Sequence, residues 1–311
     1  MRLTSAFSLA FFLAVLSDSQ TQPLLAQSSQ NPSPMVEHVR EHPRLEKKAV
    51  PGQRLKLSLG ELFIPEKWDS GSAKPDSDPK ENTASDKRTS KLVLAFHCGN
   101  WIPEIAVSQL QTPLPCISFQ LGSGSAKYAQ PFQDDPELLK KLLTQAEEKL
   151  SAKVDELILV SWSAGYGALG ELIKADSSEQ LCSSVLLIDG LHASYFDGKP
   201  GPQESKLVTD SLQPFLKFAS KASKSEKRMI VLHSEIFPGT FASTTETADW
   251  LINQLKLKRK PVLKWGPMRT QQLGETQQGK LQIRAFAGNS APDHVDLLHG
   301  MPEFLAELVE L

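Results

Sequence analysis

The chain has 311 residues, of which 40% are hydrophobic and 23% charged, a balance that suits one sizeable soluble globular domain and excludes a disordered or fibrous chain. Its formal net charge is −2, so the clustered basic face that a phosphate backbone demands is not expected and nucleic acid is set aside as a partner. Cys98, Cys116 and Cys182 cannot all pair and lack C-x-x-C spacing, so no metal is expected. Cys98 and Cys116 close on or lie within predicted strands, which points to buried free thiols.

Met1-Arg2 precedes an apolar stretch over residues 3–16, interrupted only by Thr4, Ser5 and Ser8, with small residues at Ser17, Ser19 and Ala26. A basic start, an apolar core and small-residue cleavage points predict a signal peptide over residues 1–26. The mature chain is then expected to begin between Gln20 and Gln27. An uncleaved anchor is the alternative, but the apolar core falls short of the roughly 20 residues a span requires. No other stretch is long and apolar enough, so a secreted or periplasmic protein without a stable membrane span is expected. Residues 27–48, polar and holding Pro32, Pro34 and Pro43, are expected to form a flexible lead-in to a single domain over residues 49–311.

Leu55-Lys56-Leu57-Ser58-Leu59 alternates and Glu61-Leu62-Phe63-Ile64-Pro65 follows, predicting an edge strand or hairpin stopped by proline. Residues 69–90 contain no aliphatic larger than alanine and read as an exposed loop insertion within that domain. Residues 92–96 predict a buried strand ending at His97-Cys98-Gly99-Asn100-Trp101. His97 there has a plain alternative role, a strand-end histidine bonded to backbone. Residues 116–121 predict a second buried strand, followed by a mobile loop at Gly122-Ser123-Gly124. That loop lacks the Gly-Lys-Ser/Thr ending of a phosphate-binding loop and the third glycine of a dinucleotide fingerprint, so no nucleotide is expected.

Asp134-Asp135-Pro136-Glu137 predicts a helix start, with Leu138, Leu139, Leu142, Leu143, Ala146 and Leu150 as its buried stripe. The apolar run over residues 157–160 predicts a buried strand. It meets Ser161-Trp162-Ser163-Ala164-Gly165 and passes directly into a helical pattern over residues 166–173. Residues 185–188 predict a strand ending Asp189-Gly190-Leu191-His192, and residues 195–206 a loop. A helix through Leu207, Leu212, Phe215, Leu216 and Ala219 is expected to bend or restart at Pro214. Residues 229–232 predict a strand closing on His233-Ser234-Glu235. Ser243-Thr244-Thr245-Glu246 is a capping box that opens a helix through Leu255. Residues 281–286 predict the last strand. A loop over residues 288–293 then presents His294, and a closing helix carries Val295, Leu298, Phe304, Leu305 and Leu308.

Strands alternating with helices imply a mostly parallel central sheet with helices on both faces. Active groups on such a sheet gather at the carboxyl ends of the strands. His97, Ser163, Asp189, Glu235 and His294 all fall at or just past predicted strand ends.

A strand, a tight turn centred on Ser163 and a helix rich in small residues form the pattern of a nucleophile elbow, with Ser161 where the first glycine usually stands. Over roughly residues 50–311 the chain resembles the α/β-hydrolase superfamily. The resemblance implies that fold, no cofactor and no metal, and a serine hydrolase that cleaves carboxylic esters through an acyl-enzyme on Ser163. It implies His294 as general base, with His299 as a rival inside the closing helix. The order Ser, acid, His leaves two acids open: Glu235, after the penultimate strand and preferred here, and Asp189, after the strand before. The oxyanion donors it implies are the backbone N–H groups of Ala164 and of Gly99 or a neighbour, since Cys98 replaces the first glycine expected there. A small-molecule or polymer ester would be the partner. A peptidase or amidase of the same fold, and a non-catalytic binding protein that retains it, are the alternatives; the intact Ser163 and His294 pair argues against the last.

Overall fold

The computed structural model describes residues 42–69, 89–196, 198 and 206–311. The expected signal peptide, most of the lead-in and nearly all of the loop insertion lie outside these. In chain order the elements are β1 (Gly52–Lys56), β2 (Glu61–Pro65), β3 (Thr89–Phe96), α1 (Trp101–Ser108), β4 (Cys116–Phe119), α2 (Ser125–Asp134), α3 (Leu138–Leu150) and β5 (Lys153–Trp162). A short 3-10 turn (Ser163–Gly165) leads into α4 (Tyr166–Lys174), then α5 (Asp176–Leu181) and β6 (Cys182–Ile188). There follow α6 (Gln213–Ser223), β7 (Arg228–His233), α7 (Thr244–Gln254), β8 (Lys260–Trp265), β9 (Gln271–Gln278), β10 (Leu281–Phe286), α8 (Ala291–His299) and α9 (Met301–Glu310).

The strands lie in the order β1-β2-β4-β3-β5-β6-β7-β10-β9-β8. The six from β4 to β10 run parallel, and the edges are extended by antiparallel pairs. The parallel strands are apolar without alternation because both of their faces are covered. Successive side chains therefore enter different cores. Leu157 and Leu159 of β5, with Val185 and Leu187 of β6, pack into the core under α2, α3, α4, α6 and α7. Ile158 and Val160, with Leu186 and Ile188, pack into the core under α1, α8 and α9. Each such leucine or isoleucine, fully buried, contributes about 2 kcal/mol. A mostly parallel sheet covered on both faces, with a strand, tight turn and helix at its centre, is the α/β-hydrolase fold.

Several local expectations are corrected. Asp134 ends α2, a helix not foreseen after Gly124, and Asp135 bridges to α3 by accepting the Glu137 N–H at 3.1 Å. Leu207 lies outside the helix, in an isolated bridge to Tyr195, while the restart expected at Pro214 is present: a 3-10 turn (Asp210–Leu212) gives way to α6 with Pro214 in its first turn. The closing helix is two, divided at Gly300, with Pro302 in the first turn of the second. Residues 42–48 of the expected flexible lead-in dock on α8. His42 Nδ1 lies 2.5 Å from Asp296 Oδ2, Arg44 Nε 3.1 Å from Asp296 Oδ1, and the Leu45 N–H donates to His299 Nδ1 at 3.0 Å. All three cysteines are buried and free, and among the described residues no helix is long and apolar enough to cross a membrane.

Candidate active site

β5 delivers Ser163 at the centre of the sheet with a backbone φ of 48°. A non-glycine residue in that left-handed region costs about 1–2 kcal/mol and persists only where its surroundings impose it. Two glycines do so here. A Cβ on Gly165 would lie 2.5 Å from the Phe96 carbonyl oxygen at the end of β3, and one on Gly190 would lie 2.3 Å from the carbonyl oxygen of Ser163 itself. The elbow is thus clamped between the ends of β3 and β6. Ser161, in place of the first glycine, is fully buried, and its Oγ has no hydrogen-bond partner among the described residues. Its small size fits the packing, while its hydroxyl adds nothing to the site. The N–H of Ala164 lies in the first turn of the short 3-10 helix and has no acceptor within it.

Asp189 follows β6, also at positive φ (44°) and 2% exposed. Four donors converge on its carboxylate. Oδ1 accepts from the Ser234 N–H at 2.9 Å and from Thr244 Oγ1–H at 2.7 Å, and Oδ2 accepts from Ser234 Oγ–H at 2.7 Å. The fourth is His294 Nδ1, 2.8 Å from Oδ2. Burial, the largest single influence, raises the Asp189 pKa, but His294 and both Ser234 donors together outweigh it and hold the carboxyl at about 2. The group is therefore ionised and can only accept. His294 Nδ1 is thus the donor, and in the neutral imidazole this tautomer leaves a lone pair on Nε2.

The preference for Glu235 as the carboxylate beside His294 is overturned. The Glu235 side chain is exposed, and its backbone N–H donates to the Gly288 carbonyl at 2.9 Å. The position after β7 that meets the site is Ser234, and both of its donors are spent on Asp189. His294 stands in the first helical turn of α8, not in a loop before it. Ser290 and Asp293 close a capping box around that turn. His299, on the same helix, faces elsewhere: it accepts from Leu45 and meets Trp101 edge-on at 5.5 Å.

Ser163, Asp189 and His294 line one cavity of about 260 Å³, completed by His192, Ile236, Pro238, Phe241, Thr244 and Ala291. Ser163 and His294 share it without a direct hydrogen bond among the described residues. Trp162 braces the histidine, donating its indole N–H to the His294 carbonyl at 3.1 Å and lying 4.6 Å from the imidazole, centroid to centroid. The same indole stacks on His97 at 5.2 Å. His97, at positive φ, meets the Tyr128 hydroxyl at 2.8 Å and also the Gly122 backbone, the kind of partner expected for a strand-end histidine. Gly99 follows it on the same loop, and the Gly99 carbonyl accepts the Ile102 N–H at 2.9 Å at the start of α1.

Sequence reasoning passed over Trp162, His192, Ser234 and Thr244 as site residues. Each adjoins a residue or motif it had singled out, yet none carries a signature of its own. His42, Asp293 and Asp296 bring ligand-type atoms within 4.8 Å of one another. Arg44 already occupies Asp296 Oδ1, and the cluster reads as the ionic anchor of residues 42–48.

No protein-family model and no curated protein matches this chain. Solved structures do. An S-formylglutathione hydrolase from Agrobacterium tumefaciens is similar at 9% identity and TM-score 0.44, over 85% of this chain and 96% of its own. An acetyl xylan esterase from Aspergillus awamori is similar at 12% identity and TM-score 0.41, over 80% and 98%. A Pyrococcus horikoshii acylaminoacyl peptidase is similar at 13% identity and TM-score 0.43, over 86% of this chain and 42% of its own.

Proposed function

We propose that the protein is an exported serine hydrolase that cleaves short carboxylic esters through an acyl-enzyme on Ser163. The observation that carries this reading is the buried, ionised Asp189 bonded to His294 Nδ1, in the cavity that Ser163 also lines. Ser163 alone is a poor nucleophile and needs a base within reach. His294 Nε2, unprotonated because Asp189 holds the proton on Nδ1, takes the Ser163 Oγ–H proton as Oγ adds to the ester carbonyl. Hydrogen bonds of this kind are often long in a free enzyme and tighten on substrate. The Ala164 N–H and an N–H at Gly99 or its neighbours are the proposed donors to the oxyanion. Collapse of the tetrahedral intermediate breaks the C–O bond, and the imidazolium returns its proton to the departing alkoxide to release an alcohol. Water then attacks the acyl-enzyme, giving its proton to Nε2, and the carboxylic acid leaves as Ser163 regains its hydrogen.

A cavity of about 260 Å³ is at the small end for ligand sites, which typically span roughly 300–1,000 Å³, and suits a short acyl group. Export rests on the pattern of residues 1–26 and is tested by sequencing the N-terminus of secreted or periplasmic material. Catalysis is tested with a fluorophosphonate probe and p-nitrophenyl acetate. Wild-type protein is expected to label at Ser163 and turn over the ester, and Ser163→Ala to do neither. A folded wild type that does not label, or hydrolysis that survives Ser163→Ala, would overturn the proposal. Faster cleavage of the matching anilide than of the ester would move the activity to an amidase.

A further inference from the structure

His192 stands three residues past Asp189 and is one of the residues that line the cavity shared by Ser163 and His294. Its Nδ1 lies 2.9 Å from the carbonyl oxygen of Ala242. A carbonyl only accepts, so Nδ1 carries the proton and Nε2 carries a lone pair. Burial, the largest influence, lowers the pKa of this imidazole and keeps it neutral. Tyr166 and Phe241 hold the ring edge-on, at 5.8 Å and 4.8 Å. No described residue bonds Nε2.

The other polar groups of the cavity are already engaged. Thr244 donates to Asp189, Asp189 receives His294, and Ser163 and His294 are assigned to the chemistry. Ile236, Pro238, Phe241 and Ala291 make up the apolar remainder. Among the ring nitrogens and carboxylate oxygens of the lining, His192 Nε2 is an acceptor that no described residue engages and that the chemistry does not use, and a half-buried acceptor left unmet by its ligand costs binding free energy.

We infer that His192 Nε2 is a specificity contact that accepts a hydrogen bond from the substrate, so that the preferred substrates are short esters bearing a hydroxyl close to the scissile carbonyl. This rests on the serine-hydrolase reading. An ester with a methyl group in place of that hydroxyl has the same shape and leaves Nε2 unpaired. Sites built to receive a donor discriminate against the analogue that lacks it.

The test compares p-nitrophenyl 3-hydroxybutyrate with p-nitrophenyl 3-methylbutyrate on the full chain. Wild type is expected to favour the hydroxy ester in kcat/KM by about tenfold or more. His192→Asn places an amide where Nδ1 stood, keeps a donor to the Ala242 carbonyl and removes the outer acceptor. It is expected to bring the ratio down to about one. His192→Phe, which keeps a ring without either nitrogen, is read the same way and serves if the asparagine variant does not fold. A wild-type ratio near one, or a ratio preserved in either folded variant, would overturn the inference. Failure to cleave either ester while Ser163 still labels with fluorophosphonate overturns this inference alone. Failure to cleave and to label overturns the serine-hydrolase reading together with it.

Discussion

Replacing Asp189 by asparagine keeps the shape of the side chain and removes its charge, and the surrounding donors decide which way the amide turns. Oδ1 faces the Ser234 N–H at 2.9 Å, a donor that cannot reverse its role. An amide nitrogen placed there would set two donors against each other, so the amide oxygen takes that side. The amide nitrogen then takes the Oδ2 side, 2.7 Å from the Ser234 hydroxyl and 2.8 Å from His294 Nδ1. The hydroxyl can rotate and accept. His294 can accept only by surrendering the Nδ1 proton, which moves to Nε2 and points at Ser163. On the proposed mechanism the base is then in the wrong tautomer, and the corresponding change in the worked serine-protease case lowers turnover by about 10⁴. At about 1.36 kcal/mol per decade this is roughly 5 kcal/mol of transition-state stabilisation. The assay is kcat for p-nitrophenyl acetate, with circular dichroism and a thermal melt to show that the variant is folded. Glu235→Gln, at an exposed side chain, is expected to stay within about twofold of wild type, as surface changes usually do. A folded Asp189→Asn enzyme keeping more than a tenth of wild-type turnover, or a Glu235→Gln enzyme losing most of it, would refute the argument.

Gly190→Ala would place a methyl group 2.3 Å from the Ser163 carbonyl oxygen and 2.6 Å from its nitrogen. Overpacking of this kind costs about 1–3 kcal/mol or displaces the elbow, so a lower thermal midpoint and lost fluorophosphonate labelling are expected together. Acid stability follows from Asp189, whose pKa falls from the ordinary 3.8 to about 2 on folding. A depressed carboxyl contributes stability above its unfolded pKa and loses it as pH falls through the folded one. That gap is worth about 2 kcal/mol, and denaturant melts between pH 5 and pH 2 should show a shallower acid limb in Asp189→Asn than in wild type. His299→Ala removes the acceptor of the Leu45 N–H; about 1–2 kcal/mol of stability is expected to go, with ester turnover unchanged.

Much of this molecule is legible in sequence because its determinants are local. The run over residues 157–160, the turn at Ser163 and the small residues after it specify strand, elbow and helix within about twenty positions, and Ser243 with Glu246 announces α7 in four. β8 and β9 carry no apolar period: β8 is exposed along nearly its whole length, and the buried positions of β9 are Gln272, Gly274 and Thr276. α2 opens after Gly124 without a side-chain cap, and Pro131 inside it reads as a breaker. Sequence alone does not decide which carboxylate stands beside His294, because that proximity depends on where three strands end relative to one another. Asp189 and Glu235 each follow a buried strand. Only the fold turns Asp189 inward, by a positive φ, and gives the corresponding place after β7 to Ser234, which supports Asp189.

Because the carboxylate beside His294 comes from the end of β6, the stretch that follows Glu235 is left with wall-building alone. Ile236, Pro238 and Phe241 contribute surface to the cavity and no titratable group, and Phe241 stands 40% exposed. On the serine-hydrolase reading the proposed specificity contact His192 stands close to Asp189 in the chain, while residues 236–241 supply apolar wall. On that reading residues 236–241 are the stretch to vary for a longer or bulkier acyl group, since none of Ser163, Asp189 and His294 lies within it. A directed library belongs there, because it would change the apolar wall without replacing any of those three residues.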